Sequence, residues 1–461
     1  MHRLISGLVA GSFLLAVTNT AVTSTAGAAT RRRTRVRASA RTAIPAAGPA
    51  VVGSGAATPF PTFDQPYYRT LRSVAADLDA MWAVEMPRLY KRPYRALTGY
   101  HPYTSVDLPP SCEPGRVPSY EAIAGNAYYC RGADFIAWDD EGLFPDIAQT
   151  FGEIGLATVI AHEMGHAIQA RSATRLPSVF AELQADCFSG AWLARVTSNK
   201  STIVKLEKGA LDEAIQAILA FRDAPGVGAG TPGAHGNGFD RVNAFQIGFE
   251  EGNDRCVTFP AKPPLVTARS FQQGEDPSGN VALPLAISIA VRTTNAHFTT
   301  SAPGFVAMTD VRSSDLSALE GLASCAGAIR VMNDLFVICP TGGSDGGALV
   351  AYDATRMARI YRGTGDFGVA FAFAAAWSVA AQVKLGYEPG TASAAAELQA
   401  DCFAGSWVGA ENATTGADQL SPGDLDEALR ALVGLPGQTG VFDRVAAVRK
   451  GFLNGISVCT R

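Results

Sequence analysis

The sequence predicts a helix-rich α+β protein built as a tandem duplication, and three observations carry that expectation. Residues 181–188 read AELQADCF, and residues 396–403 read AELQADCF again. Residues 155–171, GLATVIAHEMGHAIQAR, form a Pro-free and mostly apolar run of helical length, and residues 367–383, FGVAFAFAAAWSVAAQV, form another. The short segment FIAWD (135–139) has instead the alternating character of a strand.

Composition bounds the rest. The 461 residues suffice for two to three domains with buried cores. Lys plus Arg number 38 against 42 Asp plus Glu, so the net charge is −4 and there is no basic face for nucleic acid. A hydrophobic content of 47% excludes wholesale disorder, while 26 prolines and 47 glycines break the chain often.

From the N-terminus, Met1-His2-Arg3 followed by the apolar run Leu4 to Val17 and the small residues Ala26-Gly27-Ala28 reads as a signal peptide over 1–28. The apolar run is short of the roughly 20 residues that span a bilayer. Residues 29–59, with Arg31-Arg32-Arg33 and then Ala, Gly and Pro, read as a flexible leader. A secreted or extracytoplasmic location follows.

The first copy is expected over 60–258, a Pro- and Gly-containing linker over 259–279, and the second copy over 280–461. Trp192 and Trp407 follow the repeated octamer at the same spacing of 215 residues, and GFDRVNAFQIGFEEGNDRC (238–256) answers VFDRVAAVRKGFLNGISVC (441–459) at a spacing of 203. LDEAI (211–215) answers LDEAL (425–429). The eight cysteines divide four to a copy, with no C-x-x-C pair. Their repeated arrangement suggests Cys112–Cys130 with Cys187–Cys256, and Cys325–Cys339 with Cys402–Cys459. Spacing alone leaves three pairings per copy, and free buried thiols, open.

Within the first apolar run, His162, Glu163 and His166 form H-E-x-x-H. The i, i+4 spacing sets both imidazoles on one helix face, where they can share a zinc ion, with Glu163 beside a water at the metal. Ala181 to Trp192 reads as a second helix, with Glu182 as third ligand and Asp186 one turn on, accepting the remaining N–H of a ligand histidine. Three protein ligands leave a fourth position open, as catalysis requires. Two hydrogen-bonded core histidines, and a helix face tied by salt bridges, are the plainer readings of these residues. His235, in the Gly-rich loop GAGTPGAHGNG, reads as a candidate donor to a developing oxyanion or as an exposed, idle loop residue, and FIAWD reads equally as an edge strand for an extended peptide or as an ordinary sheet strand.

AHEMGHAIQ, ELQADCF with a following Trp, HGNGFDRV and GFEEGNDRC together resemble the neutral zinc metallopeptidase family of bacteria, and YYCRGADFIAWD (128–139) is similar to that family's strand ahead of the active-site helix. The resemblance covers most of 110–258. It implies a zincin-like peptidase domain, with His162, His166 and Glu182 as ligands of one Zn2+ per chain and Glu163 catalytic. Asp240 and Asn237 depart from the family pattern, which tends to Gln and to Ser or Thr there.

At a spacing of 215, His162, Glu163 and His166 fall on Trp377, Ser378 and Ala381, and His235 aligns with Gln438, so the second copy reads as a pseudopeptidase without the metal site. Glu397 and Asp401 remain, which points to a packing role for ELQAD. The apolar run 367–383 reads as a buried helix, with no stable membrane insertion expected. The expected function is peptide-bond hydrolysis with Glu163 as general base, acting on a peptide or protein substrate, with the two copies packed together. The alternative is a non-catalytic exported binding or scaffold protein with a structural zinc site, and a zinc hydrolase of non-protein amides is a third reading.

Overall fold

Each repeated octamer lies on a helix whose side chains are mostly small or apolar, so each can be buried nearly all round. The computed structural model describes residue 60 and residues 65–460, apart from 114, 117, 202, 208, 323, 324, 341, 342, 344–346, 417 and 418. The expected signal segment and all of the leader lie outside the described residues. The architecture is helix-rich α+β with two small sheets.

The first half runs α1 (Tyr68–Tyr90), β1 (Gly99–Tyr103), α2 (Tyr120–Ile123), β2 (Ala127–Cys130), β3 (Phe135–Asp139), α3 (Leu143–Ser172), α4 (Ser178–Thr197), α5 (Ala210–Ala220), α6 (Gly238–Glu251) and α7 (Asn253–Cys256). The sheet order is β1-β3-β2, with β1 parallel and β2 antiparallel to β3. FIAWD is therefore the central strand, so of its two readings the ordinary sheet strand holds and the edge strand does not. The tight connection after Cys130, with Asp134 at φ 60°, folds β2 back on one side, and β1 fills the other. Ile136 and Trp138 face the main core, whereas Phe135 and Ala137 join Tyr103 and Tyr128 in a small cluster on the opposite face.

The second half runs α8 (Leu283–Ser301), β4 (Asp310–Ser314), α9 (Leu316–Leu322), β5 (Ile329–Val331), β6 (Phe336–Cys339), β7 (Leu349–Asp353), α10 (Ala354–Thr364), α11 (Asp366–Lys384), α12 (Ala394–Asn412), α13 (Asp424–Gly434) and α14 (Val441–Asn454). Its sheet order is β4-β7-β6-β5, with β4 parallel and β6 antiparallel to β7. Gly152 breaks α3 at φ 65°, ψ −171°, and Gly365 separates α10 from α11 at φ 105°, ψ −172°. Both breaks favour glycine, and each stands against a glutamate, Glu213 or Glu427. The α11 helix is long and apolar enough to cross a membrane, but 89% of its apolar window is buried inside the protein.

The closest helix contacts recur as well. A Cβ on Gly190 of α4 would lie 1.9 Å from the Phe245 carbonyl of α6, and one on Gly248 1.8 Å from that of Cys187. Gly405 and Gly451 meet α14 and α12 in the same manner, at 2.0 and 1.8 Å. Disulfides tie α4 and α12 to the short segments that follow α6 and α14, Cys187–Cys256 and Cys402–Cys459, while Cys112–Cys130 and Cys325–Cys339 tie the sheets to their loops. All four expected pairs are formed, and they suit an oxidising, extracytoplasmic setting.

The halves share one core, with Phe239 against Phe452 and Phe249 against Phe442, ring centroids 4.5 and 4.6 Å apart. Asp240 accepts from the Thr267 N–H and hydroxyl and from the Ala268 N–H, holding the expected linker against α6.

Two stability predictions follow from this packing. Gly190→Ala should lower stability by about 3 kcal/mol, because the obstructing atom is backbone; thermal denaturation of the oxidised protein checks it. Near Gly365, burial and the charges of Asp424 and Asp366 push Glu427 from 4.5 up to about 9. Its raised value favours the fold fully below the unfolded pKa and is lost as pH rises through the folded one. Glu427→Gln should therefore stabilise the protein by on the order of 1 kcal/mol at about pH 8 and change little near pH 4, as read by denaturant titration at the two pH values.

Candidate metal centre

The H-E-x-x-H residues occupy α3 beyond its Gly152 break, and the first ELQAD string opens α4 alongside. The two helices approach closely because Gly165 of α3 faces Ala185 of α4, where an added Cβ would come within 2.8 Å of the Ala185 Cα. His162, Glu163 and Glu182 are buried. His166 keeps 20% of its side chain exposed, so the site opens to solvent on that side.

His162 Nε2 lies 3.2 Å from Glu182 Oε2, and His166 Nε2 lies 3.4 Å from Glu182 Oε1. The three ligand atoms all fall within 4.8 Å of one another. Tetrahedral zinc with bonds of about 2.0–2.1 Å would set neighbouring donors about 3.3 Å apart, so the donor set fits that ion. Each imidazole has its other nitrogen engaged. His162 Nδ1 is 2.8 Å from Asp186 Oδ1, and His166 Nδ1 is 3.0 Å from Gln169 Oε1. Both partners are acceptors, so each imidazole would turn an Nε2 lone pair to an ion held beside Glu182.

Behind His162 stands a buried relay. Arg241 on α6 donates from Nε to Asp186 Oδ2 and from Nη2 to Asp186 Oδ1, each at 2.8 Å, and also bonds the Phe221 carbonyl. Gln169 Nε2 donates to the Ala181 carbonyl at 2.6 Å, fixing its own amide against the start of the α4 ELQAD segment. Tyr129, on the edge strand β2, donates its N–H to Glu163 Oε2 at 2.7 Å.

The electrostatics favour positive charge. Burial works against a charged His162, but Asp186, with Glu182, outweighs it and lifts the pKa to about 10. His166 rises too, with burial overcome chiefly by Glu182. Burial would raise Glu182, yet the two histidines hold it well below the usual carboxylate range. Burial would likewise raise Asp186, but Arg241 and His162 lower it. Glu163 is raised, mainly by burial, which suits a proton acceptor. Carboxylates that hold protons on two imidazoles would hold a dication in their place.

His162, Glu163, His166, Glu182 and Asp186 thus come together. His235 stands apart from the ligand group, in the loop ahead of α6. Its Nδ1 is 3.1 Å from Asp223 Oδ1, its N–H donates to Asp223 Oδ2, and the preceding Ala234 carbonyl accepts from Ser178 at the start of α4. Arg241, Gln169 and Asp223 escaped the sequence reading. Arg241 had a signal in the repeated FDRV, whereas Asp223 had none. Asn237 caps α6 by accepting from the Asp240 N–H, as a Ser or Thr would. Among the described residues a second group of possible ligands, Asp366, Asp424 and Glu427, is wholly carboxylate and lies in the second half.

An H-E-x-x-H helix facing a glutamate-bearing helix is the arrangement of a zinc hydrolase site. The chain belongs to the family described as "Putative neutral zinc metallopeptidase", whose profile matches residues 71–259, and that family implies a zinc cofactor. Among curated proteins it is similar to the uncharacterised YpfJ of Escherichia coli strain K12, 32% identical over 158 residues that cover 29% of this chain and 53% of the relative. It is also similar to the uncharacterised proteins Mb2605 of Mycobacterium bovis and Rv2575 of Mycobacterium tuberculosis strain H37Rv. Each is 30% identical over 213 residues, covering 40% of this chain and 68% of the relative. The chain thus spans about half the length of the E. coli relative. No solved structure matches it.

Gln169→Leu should weaken zinc binding about tenfold while leaving the protein folded, because His166 loses the acceptor that fixes its tautomer. Competition with a chromophoric chelator measures this.

Proposed function

We propose that the protein is an exported, zinc-dependent peptidase whose single active centre lies in the first half. The observation that carries the reading is the convergence of His162 Nε2, His166 Nε2 and a Glu182 oxygen within 4.8 Å, on the face of α3 that also carries Glu163. The zinc held there would supply Lewis acidity, activating a water and polarising the scissile carbonyl.

The chain's own residues do the rest. Asp186 and Gln169 orient the two imidazoles. Glu163, raised by burial, takes the proton from the attacking water and passes it to the leaving nitrogen. The Tyr129 N–H holds one carboxylate oxygen of Glu163, leaving the other to receive that proton. Because Tyr129 turns its N–H from β3 toward Glu163, the outer edge of β2 runs beside the base, and an extended peptide would pair there. His235, ordered by Asp223, is the candidate donor to the oxyanion.

The second half is a degenerate copy that has lost the ligands. Recurring contacts support this reading and also correct the helix register. Gln382 donates to the Ala396 carbonyl at 2.8 Å as Gln169 does to that of Ala181, and Gly365 breaks the chain as Gly152 does. Both pairs are 213 residues apart, so the ligand positions correspond to Ala375, Ala376 and Val379, not to Trp377, Ser378 and Ala381. The connection into the ELQAD helix has two more residues in the second half, which moved the register. The helix is fully apolar at those positions.

The mature protein should carry about one zinc per chain by elemental analysis, and His162→Ala should empty it. Glu163→Gln should keep the zinc and lose peptide hydrolysis by about a thousandfold or more. Persistent hydrolysis in that variant would overturn the mechanism, and a folded protein that binds no zinc would overturn the reading.

A further inference from the structure

The two halves cap each other. The first-turn N–H groups of a helix have no partner within it, and a carboxylate placed there satisfies them and meets the positive end of the helix dipole. On α6 that carboxylate comes from the other half of the chain: Asp426 of α13 accepts the Phe239 N–H at 2.9 Å. On α14 it comes from the first half, where Asp212 of α5 accepts the Phe442 N–H at 2.8 Å. Asp426 and Asp212 occupy the same position in LDEAL and LDEAI, and Phe239 and Phe442 the same position in the FDRV segments.

The two caps lead to different places. The α6 cap lies two residues before Arg241, which clamps Asp186, which in turn holds His162 Nδ1. Asp426 also reaches the other side of this clamp. Its Oδ2 lies 3.2 Å from Arg222 Nε, and Arg222 follows Phe221, whose carbonyl receives Arg241. One buried carboxylate of the second half therefore pins both the helix that carries Arg241 and the segment that receives it. The α14 cap leads through Arg444 to Asp401, where no histidine follows.

We infer that Asp426 is a positioning residue for the zinc centre, so that the second half sets the geometry of a site in which it has no ligand. This rests on the reading that His162, His166 and Glu182 hold zinc. The second half is then a built-in partner for the active half and not a passenger. Asp212→Ala is its matched control, removing a cap of the same kind at the same interface on the side that leads to no ligand.

The test uses the mature full-length protein and zinc itself, with affinity measured by chelator competition and folding by thermal denaturation. Asp426→Ala should weaken zinc binding about tenfold, and Asp426→Asn, which keeps an acceptor for the Phe239 N–H, should recover most of it. Asp212→Ala should lower the melting temperature comparably and leave zinc affinity within about twofold of wild type. If Asp426→Ala does not fold, the comparison is made between Asp426→Ser and Asp212→Ser, with only the first losing affinity. Equal zinc affinity in wild type and a folded Asp426→Ala or Asp426→Ser protein, or an equal loss on the Asp212 side, overturns the inference while leaving the zinc reading intact. A wild-type protein that binds no zinc overturns both.

Discussion

The buried pair between Arg241 and Asp186 is the constraint on which the first half depends. Both groups are almost wholly removed from water, and such a pair is tolerable only when its remaining hydrogen-bonding positions are filled. They are filled by His162 and by the Phe221 carbonyl. The pair can form only if α6 approaches α4 closely enough, which the glycine contacts at Gly190 and Gly248 permit. One interaction thus ties the packing of two helices to the orientation of a candidate ligand. Removing either partner would strand a charge in the core, a far larger cost than the pair itself contributes.

Much of this was legible in the sequence. The apolar runs gave buried helices, the H-E-x-x-H and ELQAD strings gave the candidate donors, and the repeated cysteine arrangement suggested the four pairs that form, though spacing alone left other pairings open. Three kinds of information were not local enough to read. The place of FIAWD at the centre of its sheet depends on β1 closing over it from more than thirty residues upstream. The hold of Tyr129 on Glu163 is a backbone contact and leaves no trace in residue identity. The register of the second apolar helix depended on the length of the loop that follows it, and a loop can change length without disturbing the helices it joins. Asp426 was hidden for a similar reason, since the sequence marks its repeat but not which helix it would face.

Two carboxylate-rich places among the described residues show how composition decides what a buried cluster does. Around α3 and α4, acids are interleaved with two histidines and an arginine, so Asp186 and Glu182 stay ionised despite burial. Around Gly365 the cluster is all carboxylate. There burial raises Asp366, Asp424 and Glu427, the Asp366 charge adds to the rise of the other two, and protonation relieves the charge.

The second half shows why a string with no ligands beside it can persist. Glu397 is buried like Glu182, and a buried carboxylate still needs donors. It finds them in a loop, 435–440, that is eleven residues shorter than its counterpart, 221–237. That shortening brings Gln438 and Thr439 onto Glu397, whose oxygens accept both N–H groups and the Thr439 hydroxyl. Gly437 is required for the approach, since a Cβ there would lie 2.4 Å from Glu397 Oε1. Asp401 keeps Arg444 as Asp186 keeps Arg241, though burial leaves it up at about 6 without a charged histidine nearby. In one half, then, the glutamate is answered by two imidazoles and the loop is long enough to carry Asp223 and His235. In the other, the loop itself answers the glutamate. The same helix pair is satisfied in both ways, and only the first leaves donor atoms converging on a point that a metal ion can occupy.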